Sequence, residues 1–408
     1  MATSSLGSDD LKSRFAAAAL ALQEPPKVRS RVRVRNRVNN IFFHDARGEV
    51  VNFLFSTLRQ HEVPIWEAYH SAYDFAEEYK DELHSAKIAF NEDCESFSWS
   101  DWYTLLTNCA MKFLHNYTVN EHEFPPKPVD WDKFCFSTFE HRNSKPTMED
   151  RKLVLPKFSV IEPGVENTYQ DASLFGVFDG HGGVECADYC IAHFPECLIN
   201  VQSSTASVDD LLPNAFNAID KRINHFCTSE SLSGGTTASV ALIHDNVVHY
   251  AWIGDSGIGL LKGKQIIQLS THHNLSNIKE EERVKAAGSE ILFIYGEKRV
   301  DGVLNITRAL GHPGAKASII SEPDVGKFEI GPDDFILFIA SDGIWDVASK
   351  DEMLADIVSF VKSNPSSDFS DLAKAIGTPV RKHSIDNCML LVVFLKPVEE
   401  VWKHCSML

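Results

Sequence analysis

Between residues 40 and 122 apolar side chains recur at every third or fourth position. Ile65, Tyr69, Ala72, Tyr73, Ala76, Tyr79 and Leu83 fall on one helical face, and Trp102, Leu105, Leu106, Cys109 and Phe113 repeat the pattern. Ser100 stands where a capping residue would open the second of these helices. The stripe predicts a helical region that either packs as its own core or offers a groove to a partner. From about Trp131 the period shortens. The runs SLFGVF (173–178), TASVALI (237–243), VVHYAWI (247–253), KQIIQLS (264–270), FILFIA (335–340) and MLLVVFL (389–395) predict strands, with helical stretches over 209–226 and 350–361. Some strands follow one another through tight turns, as at His244-Asp245-Asn246. Strands in series, with helices set apart from them, argue against a βαβ alternation. They predict an α+β fold in which antiparallel sheets are flanked by helices.

The proline-rich segment FPPKPVD (124–130) reads as a linker. The expected organisation is therefore a tail with a basic arm over 1–39, a helical interaction domain over 40–124, a β-rich domain over 131–397 and a C-terminal tail over 398–408. The tail carries a short alanine-rich helical stretch. In the arm, Lys27, Arg29, Arg31, Arg33, Arg35 and Arg37 recur at every second position and share one face of an extended segment. A nuclear import signal, a docking strand for an acidic partner and a solvated arm all fit that pattern.

Charge and cysteine usage narrow the function. Acidic residues outnumber basic ones by 57 to 39, for a net charge of −18, and that field opposes nucleic-acid binding. The nine cysteines are scattered, with no CxxC pair, which fits neither a disulfide scaffold nor a thiolate zinc site. A reducing compartment suits them: the cytoplasm is expected, with the nucleus open as well. No run approaches the roughly 18–20 apolar residues of a membrane span.

The carboxylates carry the chemistry. SLFGVF runs into Asp179-Gly180-His181-Gly182-Gly183, VVHYAWI into Gly254-Asp255-Ser256-Gly257 and FILFIA into Ser341-Asp342-Gly343. Asp386-Asn387 precedes MLLVVFL, and Met148-Glu149-Asp150 lies upstream. One Asp-Gly is an ordinary turn pair. Several, at the ends of buried strands that a sheet or sandwich gathers, place like charges together in a poor dielectric. No matching set of Arg and Lys accompanies them. Hard divalent ions would neutralise such a cluster, and oxygen ligation selects Mg²⁺ or Mn²⁺ over zinc. Two such ions can lower the pKa of a water and aim it at phosphorus.

These motifs, with SGGTTASVAL, LSTHHN, RVDGVLNITRALG, EPDV and FIASDGIWDV, occur in an order over about 138–396 that resembles the metal-dependent (type 2C) serine/threonine protein phosphatases. The resemblance implies a central antiparallel β-sandwich with helices on both outer faces and a binuclear Mn²⁺/Mg²⁺ centre at one end. It implies hydrolysis of phosphoserine and phosphothreonine in proteins by direct attack of water. By position, Asp179 would bridge two metals and Gly180 would lend its carbonyl to the second. Asp342 and Asp386 would complete the first, and Glu149 would help complete the second. Asp150 would orient the attacking water, Asp255 and Asp346 would hold a weaker third metal, and His181 would be the general acid. A long helical region ahead of such a domain resembles the branch that includes the calmodulin-kinase phosphatases and the nematode feminisation-pathway phosphatase. In that branch the helices would recruit kinase or adaptor partners.

Several positions depart from the family. Lys145, followed by Pro146, stands where an arginine usually holds the substrate phosphate, and lysine lacks the bidentate fork. Arg142 is the alternative phosphate ligand. His272-His273-Asn274 replaces the usual Asp-His-Lys, and ALG is followed by His312 where an aspartate is usual. A catalytically inactive scaffold of the same fold is the rival reading, against which stand the matched carboxylates. Residues 254–257 also resemble the GDSG of trypsin-like proteases, but no Gly-Pro follows and no disulfide framework accompanies them. Finally, Cys405-Ser406-Met407-Leu408 fits a prenylation box without a polybasic partner; a lipid on Cys405 is the one route to a membrane, and an ordinary tail is the other reading.

Overall fold

The computed structural model describes residues 8–23, 39–84, 90–91, 95–119, 127, 130–161, 169–202, 205 and 207–408. The chain forms two compact units, Thr3–Val129 and Asp130–Leu408. The basic arm 27–37 and most of the 124–130 linker lie outside the described residues.

In the first unit the aromatic stripe is core. Helices Ile65–Glu78 and Trp99–Val119 bury Tyr69, Ala72, Tyr73, Phe75, Trp102, Leu106 and Phe113, and the rings of Phe75 and Phe113 lie 5.2 Å apart. Helix Ala46–Gln60 and the short Lys80–Leu83 complete the expected helices. The alanine-rich helical stretch expected in the tail is helix Ser8–Gln23, which buries Leu11, Phe15 and Ala18 and stacks Phe15 on Tyr117 at 5.2 Å. Two details differ from expectation. Asn40–Phe42, Phe90–Asn91 and Ser96–Ser98 form a small antiparallel sheet. Ser100 is not a cap: it lies inside the first turn of Trp99–Val119, where its carbonyl accepts from Thr104 Oγ1 at 2.8 Å.

The second unit is a sandwich of two five-stranded sheets. The first runs, in spatial order, Asp324–Glu329, Val247–Ile253, Ala238–His244, Ser173–Phe178, Arg151–Leu155. The second runs Gln265–Gln268, Gly257–Lys262, Asp334–Ala340, Cys388–Phe394, Phe136–His141. All pairings within both are antiparallel. Phe175, Val177, Ala241 and Ile243 of one inner face meet Ile258, Leu337, Ile339 and Leu391 of the other. Helices cover the outer faces. Ile336, Phe338, Leu390, Val392 and Phe394 pack under Met353, Ile357, Ile376, Val401 and Trp402 of helices Lys350–Ser363, Leu372–Val380 and Val398–Ser406. On the other side Phe178 meets Phe194 of helix Glu185–Gln202, which meets Phe216 of helix Val208–Ser229. This two-sided burial explains why Asp334–Ala340 and Cys388–Phe394 read as unbroken apolar runs: every residue in both is buried.

The C-terminal tail expected over 398–408 is corrected here. Val398, Val401, Trp402 and Cys405 have the spacing of one helical face, Pro397 precedes the helix, and Glu399 and Glu400 occupy its first turn. Cys405 is fully buried in the core, so the thiol that would carry a prenyl group faces inward. Among the described residues no helix is long and apolar enough to cross a membrane.

Candidate active site

Sheet register alone gathers the acidic turns. Arg151 pairs with Phe178, which sets Asp150 beside Asp179. Ile253 pairs with Ala238, and Asp255 follows two residues after that strand ends. In the second sheet Gly257 and Leu390 both pair with Ala340, and Cys388 pairs with His141. Asp255, Asp342, Asp386 and the 142–150 loop therefore emerge at one end of the sandwich.

The charges there act on one another. Burial pushes the Asp179 carboxyl well above its usual range, and Asp150, Asp342, Asp255 and Asp386 push it further. Burial raises Asp150 to about 7; Ser341 and Asp179 hold it down, and Asp342 and Asp386 add to the rise. Asp342 is raised to about 6 by burial and then by Asp386 and Asp346. Asp255 also lies well above its usual value, through burial and then Asp342, Asp346 and Asp386. Burial raises Asp346 too, against the opposing pull of His272. Among the described residues, one close cation stands against this set. Lys145 Nζ lies 2.8 Å from Asp386 Oδ1. Burial would lower its pKa, but Asp386, Asp179 and Asp342 more than offset that and raise it.

Neighbouring side chains fix the loops. Ser341 Oγ donates to Asp150 Oδ2 at 2.8 Å and accepts from Met389 N at 3.0 Å, which joins the two sheets at the site. Asn387 is the hub of the 142–150 loop. Its Oδ1 accepts from Glu149 N at 2.6 Å, and its Nδ2 donates to the carbonyls of Arg142 at 2.9 Å and Thr147 at 3.0 Å. Thr147 Oγ1 donates to Glu149 Oε1 at 2.8 Å. Asp179 N donates to Thr237 Oγ1 at 3.3 Å, and its carbonyl accepts from Thr237 N at 2.9 Å. Two glycines are sterically required. A Cβ on Gly180 would stand 2.7 Å from the Glu149 carbonyl oxygen, and one on Gly343 would stand 1.9 Å from that of Asn387.

His181 sits beside this cluster, on a three-stranded ribbon of Gly180–His181, Gly235–Thr236 and Leu310–Gly311. Burial, and then the His312 ring, hold its imidazole neutral, down to about 3. Arg142 is exposed and donates to the Pro146 carbonyl at 2.8 Å, so its guanidinium braces its own loop. Lys145, in contrast, reaches the carboxylates.

The donor set fits hard divalent ions. The oxygens outnumber the one close cation found among the described residues, their carboxyls resist ionising together, and the buried Asp150 Oδ1 has no hydrogen-bond partner. Among the described residues no three His, Cys, Asp or Glu side chains form a ready-made metal group. Mg²⁺-type ions do not require one, because they keep several waters in their shell. Ser341, Asn387 and Thr237 carry no local sequence signal, because their partners lie far along the chain, and nothing local connects His312 with His181.

Residues 136–387 match the family described as protein phosphatase 2C. The Caenorhabditis elegans protein phosphatase fem-2 is 31% identical over 290 residues, which span 70% of this chain and 64% of that one. Human protein phosphatase 1F is 30% identical over 261 residues, 64% of this chain and 57% of its own length. The chain thus spans less than two thirds of these curated relatives. A solved C. elegans sex-determining protein superposes with a TM-score of 0.77 at 25% identity, over 89% of this chain and 90% of that one. That coverage exceeds what the sandwich unit alone could supply, so the likeness includes the helical unit. The serine-threonine phosphatase 2C of Toxoplasma gondii shares the fold, with a TM-score of 0.56 at 18% identity over 64% of this chain and 95% of that one. With a family match running from the first strand of the second sheet to the Asp386-Asn387 turn, the chain belongs to the protein phosphatase 2C family.

Proposed function

We propose that this chain is a metal-dependent protein phosphatase that hydrolyses phosphoserine and phosphothreonine in phosphoprotein substrates. The observation that carries this reading is the gathering of Asp150, Asp179, Asp255, Asp342 and Asp386 at one end of the sandwich, with Lys145 close beside Asp386. Asp179, Asp342 and Asp386 would hold one Mn²⁺ or Mg²⁺ ion. Asp179, the Gly180 carbonyl and Glu149 would hold a second, and Asp255 and Asp346 a weaker third. Ions bound there neutralise the cluster and lower the pKa of the attacking water.

The chain's own groups supply the rest. Asp150, anchored through Oδ2 by Ser341, leaves Oδ1 to orient the attacking water. Lys145 would hold the substrate phosphate as a point charge, with Arg142 the second candidate. His181, neutral at rest, would pass its ring N–H proton to the departing serine or threonine oxygen as the P–O bond breaks and take one back from solvent. No covalent intermediate is needed, so rate rests on positioning and charge. The helical unit would recruit kinase or adaptor partners, and the free cysteines suit a cytoplasmic or nuclear setting.

The test is phosphate release from a phosphothreonine peptide with Mn²⁺, with Mg²⁺ and with EDTA, beside Asp342→Asn. Metal-dependent turnover that the substitution removes supports the enzyme. Folded protein without turnover in any metal would move the reading to an inactive scaffold, which the Lys145–Asp386 pair favours.

A further inference from the structure

His181 and His312 meet at Nε2–Nε2 2.6 Å, with ring centroids 4.8 Å apart and planes 14° from parallel. A face-to-face stack does not fit these values. Nitrogens at hydrogen-bond distance with near-parallel planes and that centroid separation describe two rings end to end and nearly coplanar, the geometry of an N–H···N bond.

The ribbon is built for this meeting. His181 pairs across Gly235, and Gly235 pairs in turn with Gly311, so the imidazoles approach over a residue without a side chain. A Cβ on Gly235 would stand 2.4 Å from His312 Cδ2 and Nε2. His312 itself adopts left-handed backbone, φ 55° and ψ 55°, a conformation uncommon for a residue with a side chain. Its turn is pinned from behind: Asp220 Oδ1 accepts from Gly311 N at 3.1 Å and from Lys316 Nζ at 2.7 Å. An emptied neighbour, an uncommon backbone and a braced turn all serve one contact.

We propose that His312 is a positioning residue of the phosphatase reaction, holding the His181 ring in the plane and direction from which it serves the leaving oxygen. This rests on the function proposed above. His312 touches neither substrate nor the carboxylate cluster in this assignment, and acts only through His181.

The experiment compares wild type, His312→Ala, His312→Gln, Gly235→Ala, His181→Ala and the His181→Ala/His312→Ala double variant at one fixed pH with Mn²⁺. Two substrates are used: a phosphothreonine peptide, with a poor leaving group, and p-nitrophenyl phosphate, with a good one. Histidine-labelled ¹⁵N spectra of wild type and His312→Ala are recorded alongside, with the His181 signals assigned by their loss in His181→Ala. His312→Ala is expected to lower kcat on the peptide by about tenfold, a fraction of the ~10²-fold or more that a general acid contributes. KM should hold, and p-nitrophenyl phosphate turnover should stay within about twofold of wild type. His312→Gln, which keeps a hydrogen-bonding group, should recover part of the loss, and Gly235→Ala should reproduce it. The double variant should be no slower than His181→Ala, and the His181 Nε2 resonance should move in His312→Ala. Equal losses on both substrates, additive losses in the double variant or an unmoved Nε2 resonance would each overturn the inference. If wild type hydrolyses neither substrate with any metal, the functional reading fails, and the spectra still decide the pairing.

Discussion

Lys145 Nζ rests 2.8 Å from Asp386 Oδ1, so the residue expected to meet the substrate phosphate also touches a residue expected to meet a metal. Lys145→Met should therefore have two effects of opposite sense. KM for a phosphopeptide should rise about tenfold, the weight of one modest charge-assisted contact. Mn²⁺ should bind more tightly, because a competing cation is gone. Steady-state kinetics and calorimetric titration of Mn²⁺ check the two separately. Unchanged values for both would remove Lys145 from the site.

Asp179→Asn and Asp342→Asn should each lower kcat by at least ~10²-fold, in line with the loss of one major electrostatic contributor. Both should fold, since each substitution removes like-charge repulsion as well as a proposed metal ligand. Circular dichroism confirms the fold, and Mn²⁺ titration should show the lost affinity. A variant with normal turnover would show that its carboxylate is not part of the centre.

Gly343→Ala should destabilise the second unit by about 3 kcal/mol, the upper range for overpacking a rigid site. The obstacle is backbone, the Asn387 carbonyl oxygen at 1.9 Å from the new Cβ, so rotamer changes give no relief. Thermal unfolding should show the loss, and activity should fall with it because both loops carry carboxylates.

Glu280 offers a pH signature away from the site. Burial opposes its ionisation, yet Arg308, Thr307 and Arg283 hold its carboxyl at about 2, against an ordinary 4.5. Arg308 Nη2 lies 2.6 Å and Arg283 Nη2 3.0 Å from its oxygens. The folded pKa is depressed, so this contribution is full above 4.5 and is lost as pH falls toward 2. Glu280→Gln should cost on the order of 3 kcal/mol at neutral pH. The gap to wild type in urea unfolding should then narrow progressively below pH 4.5. A constant gap would mean the charge is not what stabilises the network.

The sandwich strands and the acidic turns were legible because each signal is local: an apolar run, then Asp beside Gly. Other features hide for identifiable reasons. Helix Glu185–Gln202 carries Pro195 in its interior, which breaks the pattern a helix would otherwise show. Helix Val398–Ser406 shows a clean apolar face, but it is short and its cysteine also fits a modification box. Asn387, Ser341 and His312 act across the sheets, where register and not sequence neighbourhood brings partners together. Their importance has no local signature.

The two tight glycines have an evolutionary corollary. Gly180 and Gly343 make the loops of this site meet backbone to backbone, so the cradle's shape does not depend on the carboxylates it displays. A descendant could exchange Asp179 or Asp342 for an amide and keep the same surface for partners. The glycines would then persist as a record of ancestry, while the aspartates alone would tell which descendants still turn over substrate.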